Sequence, residues 1–178
     1  QKFKKLEDAK NMEFSEVDEF YIGRQILATF FGKREPVFNR KLSAYLNSVG
    51  QTLVAVSQRP DIWAGYRFIA FNSPEMAAYS IPGGFILVST GLLARCQNED
   101  QLAAVLGHEL AHARWRHPLE ALKEKMVAQR RADLVAFMAS RSGNSLVQIF
   151  SIAAIINWEN QLSRYSRTQE LEADAYSC

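Results

Sequence analysis

His108 and His112 are spaced to bind one metal ion if the chain around them is helical. Residues 107–112 read GHELAH, which contains the pattern His-Glu-x-x-His. Residues four apart on a helix share one face, with Cβ atoms about 5–6 Å apart. That separation allows two imidazole nitrogens to lie about 2.0–2.1 Å from one zinc ion. Glu109 lies beside them and can reach a water at the metal, as the general base of a zinc protease does.

The third ligand does not follow from this pattern. The alternative to a metal site is a helix whose polar residues simply face solvent, since five-residue patterns also occur by chance. The one remaining histidine, His117, lies about 140° further round a continuous helix than His112. We therefore predict that His117 points away and caps the helix C-terminus or forms a hydrogen bond there. A carboxylate is the predicted third ligand.

The acidic segment at residues 170–174 is the best source of that carboxylate. It reads ELEAD, so Glu170 and Asp174 are four apart and share a helix face. One of them can bind the metal while the other accepts a hydrogen bond from a ligand histidine. An acidic, solvated helix face is the alternative, and the spacing alone does not decide between the two.

Capping residues predict where the helices around these side chains begin. Ser15 opens a capping box, and a second helix follows from about Val37. Asn98 and Ser166 are the predicted N-caps of the two helices that carry the candidate ligands. The helix that begins after Asn98 is predicted to end near His117, because a proline follows. A further helix is predicted over 119–141, with a break at 142–145.

Three short segments are predicted to be strands. They lie at 66–71, 77–81 and 85–88, with turns at 72–75 and at the Pro-Gly-Gly of residues 82–84. Tight turns between short strands predict a small, mainly antiparallel sheet beside the active-site helix. The chain is therefore predicted to be α+β and mainly helical.

Length and composition indicate one globular domain over residues 1–178. Hydrophobic residues make up 48% and charged residues 22%, and the net charge of +2 gives no sign of nucleic-acid binding. The apolar run at 146–156 has eleven residues, short of the ~20 that span a membrane, so it predicts a buried helix or contact with a membrane surface. The chain starts with Gln1 and stops inside a predicted helix. We therefore expect a trimmed chain whose natural form continues beyond Cys178.

Four segments together resemble the HtpX-like and CAAX-prenyl-protease-like zinc metallopeptidases, a branch of the gluzincins. The resemblance covers most of the chain and is nearest to the soluble bacterial periplasmic members, the BepA and LoiP types. The segments are residues 81–93 (IPGGFILVSTGLL), residues 98–103 (NEDQLA), the GHELAH pattern with Arg116 and His117, and residues 166–174 (SRTQELEAD).

The resemblance implies a role for each candidate residue. His108, His112 and Glu170 match the zinc ligands of the family, Glu109 its catalytic base and Asp174 an acid that hydrogen-bonds a ligand. The implied fold is a mainly helical, zincin-like domain that binds one zinc ion per chain.

The implied substrate is an extended polypeptide. It would pair with the strand near residues 77–81, so Ala77, Ala78, Tyr79 and Ser80 are the predicted substrate-binding residues. The family has asparagine at the position of Ala77, so that contribution to the substrate strand is missing.

The resemblance implies a zinc-dependent endopeptidase in quality control of misfolded or envelope proteins, in the periplasm or another extracytoplasmic place. Glu109 would take the proton of the attacking water and pass it to the leaving amine. The oxyanion partner is not identified; Arg167 is one candidate, and a structural ion pair is the alternative for that residue. Two other functions stay open: a chaperone-like binding protein or assembly factor with little protease activity, and a helical domain without metal.

Overall fold

Six helices and a three-stranded sheet make up the part of the chain that the computed structural model describes, residues 13–127 and 165–177. The helices are α1 (Glu16–Phe31), α2 (Arg40–Val56), α3 (Thr90–Leu93), α4 (Glu99–Arg114), α5 (from 117, described to 127) and α6 (Arg167–Ser177), and the strands are β1 (Arg67–Phe71), β2 (Ala78–Ile81) and β3 (Phe85–Ser89). The α+β prediction is confirmed. The predicted helix break at 142–145 and the apolar run at 146–156 lie outside the described residues.

The first two helices begin at capping side chains. Ser15 accepts a hydrogen bond from the Asp18 amide at 3.2 Å, and the Asp18 carboxylate accepts one from the Ser15 amide at 3.0 Å, as the capping box predicts. The second helix starts at Arg40, three residues later than predicted. The reason is that the Val37 amide donates to the Ala70 carbonyl at 2.9 Å, which holds residues 35–37 alongside β1.

The sheet is mixed, with the order β1-β3-β2. Strand β3 is central and pairs parallel with β1 and antiparallel with β2, so the prediction of a mainly antiparallel sheet is wrong for one of the two pairs. The connection at 72–77 carries the chain past the position that β3 later fills. The turn at Gly83 and Gly84, both at φ +80°, then returns β3 between the two earlier strands.

Two buried clusters lie on the two faces of the sheet. Alternate residues of β3 point to opposite faces, as strand geometry requires. Ile86 and Val88 pack with α2 and α4, whereas Phe85 and Leu87 pack with α1 and the start of α5. Helix α4 is thereby held against the sheet, next to β2. None of the helices in residues 13–127 and 165–177 is both long and apolar enough to cross a bilayer.

The edge of β2 that faces away from β3 presents the backbone groups of alternate residues. The Ser89 amide donates to the Ala77 carbonyl at 2.9 Å, which makes this an inward-facing pair of the ladder. Because backbone groups in an antiparallel pair alternate in direction, those of Ala78 and Ser80 face outward. This outer edge lies on the side where α4 packs.

Candidate metal centre

Helix α4 holds His108 and His112 on one face. The Asn98 side chain accepts from the Gln101 amide at 2.9 Å, so the helix begins where its cap predicts. It then runs unbroken to Arg114. The two Nε2 atoms of the histidines lie 3.0 Å apart, and the side chain of His112 is completely buried.

Helix α6 brings two carboxylates to these histidines. Its cap forms as predicted, since the Gln169 amide donates to the Ser166 hydroxyl at 3.3 Å. A Glu170 carboxylate oxygen lies 3.4 Å from Nε2 of His108 and 3.8 Å from Nε2 of His112. The Asp174 carboxylate lies 3.0 Å from Nδ1 of His108. Glu170 thus faces the pair of Nε2 atoms, and Asp174 faces the other ring nitrogen.

His108, His112 and Glu170 fit a zinc ion. One ligand atom from each lies within 4.8 Å of the others. Two imidazole nitrogens and one carboxylate oxygen are a common set of three protein ligands at catalytic zinc. Zinc binds the neutral imidazole ring. Burial, with a smaller contribution from neighbouring His108, lowers the pKa of His112 to about 3 and so favours that neutral form.

Glu109 is buried next to the cluster and has an unused oxygen. Its side chain is 8% exposed, and the backbone N–H of Ser80 donates to its carboxylate. Within the described residues its Oε2 atom has no hydrogen-bond partner. Burial raises the pKa of Glu109 to about 8, and the negative charge of Glu170 adds to the rise. A buried acceptor without a partner leaves a place for a water or a substrate proton.

His117 does not point away from the site, and the prediction of its direction is wrong. Helix α4 stops at Arg114, and Arg116 takes a left-handed conformation at φ 58° before α5 begins. This break turns the chain so that Nδ1 of His117 lies 2.9 Å from Nδ1 of His112. His117 stays outside the group of three candidate ligands, as predicted, and it forms hydrogen-bond contacts instead of filling a ligand position.

A buried carboxylate stabilises this break. Glu19 on α1 is 5% exposed, and its carboxylate accepts from Nε of Arg116 at 2.8 Å and from the Gly83 amide at 3.2 Å. The guanidinium of Arg59 lies 3.8 Å from the same carboxylate. One side chain therefore joins α1, the turn before β3 and the bend that presents His117.

Removing this carboxylate is expected to destabilise the fold. Glu19→Ala removes the acceptor of the Gly83 amide and one acceptor of the partly exposed Arg116 guanidinium, which still donates to the Phe14 carbonyl, so we expect a loss of about 1–3 kcal/mol. Urea unfolding of Glu19→Ala and of the exposed control Glu124→Ala measures the loss. A loss below about 1 kcal/mol in Glu19→Ala would show that water replaces the carboxylate at little cost.

Tyr165 belongs to the site but has no signal in the sequence beyond its place just before the N-cap Ser166. Its ring stacks on His112, with centroids 3.9 Å apart and planes at 20°. Its hydroxyl donates to the Ser80 carbonyl at 3.4 Å. Burial raises the pKa of Tyr165 well above its usual value, so the hydroxyl stays a donor. Arg167, the earlier oxyanion candidate, is exposed at the start of α6.

The four predicted substrate-binding residues divide into two pairs. Ala78 and Ser80 present their backbone groups at the outer edge of β2, and the Ser80 amide reaches Glu109. The backbone groups of Ala77 face β3 instead, since its amide donates to the Ser89 hydroxyl at 3.0 Å. The Tyr79 ring packs in the core, stacked with Phe71 at 5.9 Å. The structure therefore brings two of the four to the site through their backbones.

The chain has recognisable relatives. It is 27% identical over 150 residues to a provisionally assigned beta-barrel assembly-enhancing protease of Vibrio cholerae, covering 80% of this chain and 30% of that protein. It is 29% identical over 151 residues to the mitochondrial metalloendopeptidase OMA1 of Schizosaccharomyces pombe, covering 85% and 42%. Against the beta-barrel assembly-enhancing protease of Escherichia coli K12 it is 33% identical over 93 residues, covering 52% and 18%. The chain thus spans less than half the length of these relatives.

The family comparison covers more of the chain than the active-site pattern. Peptidase family M48 matches residues 40–178, which include α2, the sheet, α4 and the carboxylate helix α6. The match therefore takes in both helices that carry the candidate ligands and the strand beside them. The chain belongs to Peptidase family M48.

Proposed function

We propose that residues 1–178 form one zincin-like domain of a zinc-dependent metalloendopeptidase. One zinc ion per chain would be held by His108, His112 and Glu170, with Asp174 behind His108. The observation that carries the proposal is the buried Glu109 carboxylate, one oxygen of which has no partner among residues 13–127 and 165–177 and lies beside a set of three zinc-type ligands. A solvated helix face would neither bury this carboxylate nor leave it unpaired.

The chain supplies the proton chemistry of the reaction. Zinc held by His108, His112 and Glu170 would supply a water of lowered pKa and a Lewis acid for the scissile carbonyl. Glu109 accepts the proton of the attacking water and donates it to the leaving amine. Burial raises the pKa of Glu109 in the metal-free site, and a dication beside it would lower that pKa again, which leaves the carboxylate ionised and able to accept the proton.

A polypeptide substrate is proposed to pair with the outer edge of β2. The outward backbone groups of Ala78 offer a donor and an acceptor, which is how a strand adds to an exposed sheet edge, while the Ser80 amide donates to Glu109. The Tyr165 hydroxyl donates to the Ser80 carbonyl in this structure and would move away when a substrate strand pairs there. Main-chain pairing makes the site tolerant of substrate sequence, as quality control of misfolded proteins needs.

A proline at position 78 tests this binding mode. Ala78→Pro removes one outward backbone donor, and an edge strand tolerates proline. Loss of one hydrogen bond worth about 0.5–1.5 kcal/mol predicts a KM roughly 2–10-fold higher, with kcat little changed. Ala78→Ser keeps the donor and is the matched control in a peptide-hydrolysis assay. An unchanged KM in a folded Ala78→Pro variant would place the substrate on another surface.

The relatives' names suggest the setting in which the domain works. Two of them are named for beta-barrel assembly and one as mitochondrial. By analogy we place this chain outside the cytosol, at or near a membrane surface, with misfolded or envelope polypeptides as substrates. Fractionation of cells that express the complete natural protein tests this location, and a purely cytosolic product contradicts it.

A binding protein with little protease activity is the second candidate function. It is favoured by Tyr165, whose ring stacks on the candidate ligand His112 in this structure. Casein hydrolysis by the complete natural protein, with and without a zinc chelator, separates the two. Cleavage that the chelator stops supports the endopeptidase. Retention of denatured casein without cleavage supports the binding protein.

A further inference from the structure

Both candidate ligand histidines have a partner on the ring nitrogen that faces away from the metal position. Nδ1 of His108 lies 3.0 Å from Asp174, the carboxylate that the family resemblance implies. Nδ1 of His112 lies 2.9 Å from Nδ1 of His117. His117 in turn has its Nε2 atom 3.3 Å from the Glu172 carboxylate. His112 is therefore supported by two side chains in series, first His117 and then Glu172.

With Nε2 of His112 on the metal and both rings neutral, the contacts are consistent with one arrangement of protons. If Nε2 of His112 binds the metal, the proton of its neutral ring sits on Nδ1. That proton points at Nδ1 of His117, which must then accept it. The proton of the His117 ring is consequently on Nε2, where the Glu172 carboxylate accepts it. The His112 ring thus donates from Nδ1 and binds the metal through Nε2, whereas the His117 ring accepts at Nδ1 and donates from Nε2. The last acceptor in this series is the negatively charged Glu172 carboxylate.

We propose that His117 and Glu172 form a hydrogen-bonded relay that orients His112 as a zinc ligand. In this role His117 is a positioning residue, which acts on the metal through His112. The inference rests on the proposed zinc centre and deepens it, because it explains how a fully buried histidine is kept in one tautomer. Outer partners of this kind fix ring orientation and make the ligand more basic.

The surroundings of His117 hold it in this position. Its ring is 5% exposed and is stacked with Trp115, centroids 5.8 Å apart and planes at 14°. The left-handed Arg116, anchored by Glu19, delivers His117 after the helix break. A ring held on its face and by its backbone has little freedom to turn its nitrogens away from His112.

The relay also joins the two helices that carry the ligands. Glu172 lies on α6, two residues from Glu170, while His112 lies on α4. The path from His112 through His117 to Glu172 and the contact from His108 to Asp174 are therefore two links between these helices. Both help to set the distance at which the Glu170 carboxylate meets the two Nε2 atoms.

Zinc affinity, measured by competition with a chromogenic chelator, tests the relay in the complete natural protein. His117→Leu keeps bulk but cannot accept the His112 proton, and we expect zinc to bind about 10–100-fold more weakly. His117→Asn offers an amide oxygen near the Nδ1 position and should recover part of the loss. Glu172→Ala should weaken binding less, and Glu172→Gln, which keeps an acceptor, less still. The exposed Glu124→Ala is the control.

A double-mutant comparison separates a relay from a general packing effect. If the two residues act in series, adding Glu172→Ala to His117→Leu should weaken zinc binding no further. The visible spectrum of the cobalt-substituted protein should change in His117→Leu and return towards wild type in His117→Asn. A packing role alone would lower the thermal stability of the metal-free protein and leave that spectrum unchanged.

The outcomes distinguish this inference from the zinc centre itself. His108→Ala must lose zinc if the centre exists. Wild-type affinity in His117→Leu, with zinc lost in His108→Ala, overturns the relay and leaves the centre standing. If His117→Leu does not fold, unchanged affinity in Glu172→Ala overturns the relay equally. A wild-type protein that binds no zinc overturns both.

Discussion

Replacing Glu109 with glutamine is expected to remove most peptide hydrolysis while zinc stays bound and the domain stays folded. Glutamine has nearly the same shape, and its amide oxygen can still accept from the Ser80 amide that contacts Glu109. It cannot accept the proton of the attacking water. Loss of a general base typically lowers the rate about 10²–10⁴-fold. Zinc content should be unchanged, because Glu109 is not one of the three candidate ligands.

Three measurements on wild type and Glu109→Gln decide this prediction: zinc content, peptide hydrolysis and retention of a denatured substrate. Glu124→Gln, an exposed residue of α5, is the matched control for the loss of one negative charge. Hydrolysis at the wild-type rate with zinc bound would refute the role of Glu109. If neither protein hydrolyses peptides but both retain the denatured substrate, the binding-protein function is supported.

Replacing Glu170 with alanine is expected to empty the zinc site. Two imidazoles would remain, whereas catalytic zinc normally has three protein ligands. The affinity should fall by more than the about 10–100-fold typical of outer-shell changes. Asp174→Ala should show the smaller loss, because Asp174 lies on Nδ1 of His108, 3.0 Å away, and not between the Nε2 atoms. Elemental analysis after dialysis measures both.

The ranking of these two variants is the informative result. A larger loss in Asp174→Ala than in Glu170→Ala would exchange the roles of the two carboxylates. Full zinc occupancy in Glu170→Ala would remove Glu170 from the site. Thermal unfolding of the metal-free variants serves as the control, since both side chains are at least partly exposed and their removal should leave the fold intact.

Features set by contacts within a few residues were predictable from the sequence. Ser15, Asn98 and Ser166 cap their helices through bonds that span three residues. Helical periodicity alone places His108 beside His112. The candidate ligands could therefore be named before their geometry was known, although the assignment of Glu170 and Asp174 to separate ring nitrogens needed the position of α6 relative to α4.

Features that depend on distant contacts were not predictable. Arg116 adopts a left-handed conformation that residues other than glycine seldom take, and Glu19, far away in sequence, stabilises it. A prediction that continues α4 as a straight helix to residue 117 therefore gives the wrong direction for the His117 side chain. Likewise, the turn residues do not determine that β3 lies between β1 and β2 and pairs with both. Tyr165 reaches His112 only through the docking of α6.

The most direct test of the zinc centre is a titration of zinc into the metal-free natural protein while peptide hydrolysis is followed. We predict that removal of zinc abolishes hydrolysis and that activity returns linearly up to one zinc per chain. His112→Ala, which lacks a buried ligand, should recover none. Hydrolysis that persists in the metal-free protein, or full recovery in His112→Ala, would contradict a single zinc at His108, His112 and Glu170.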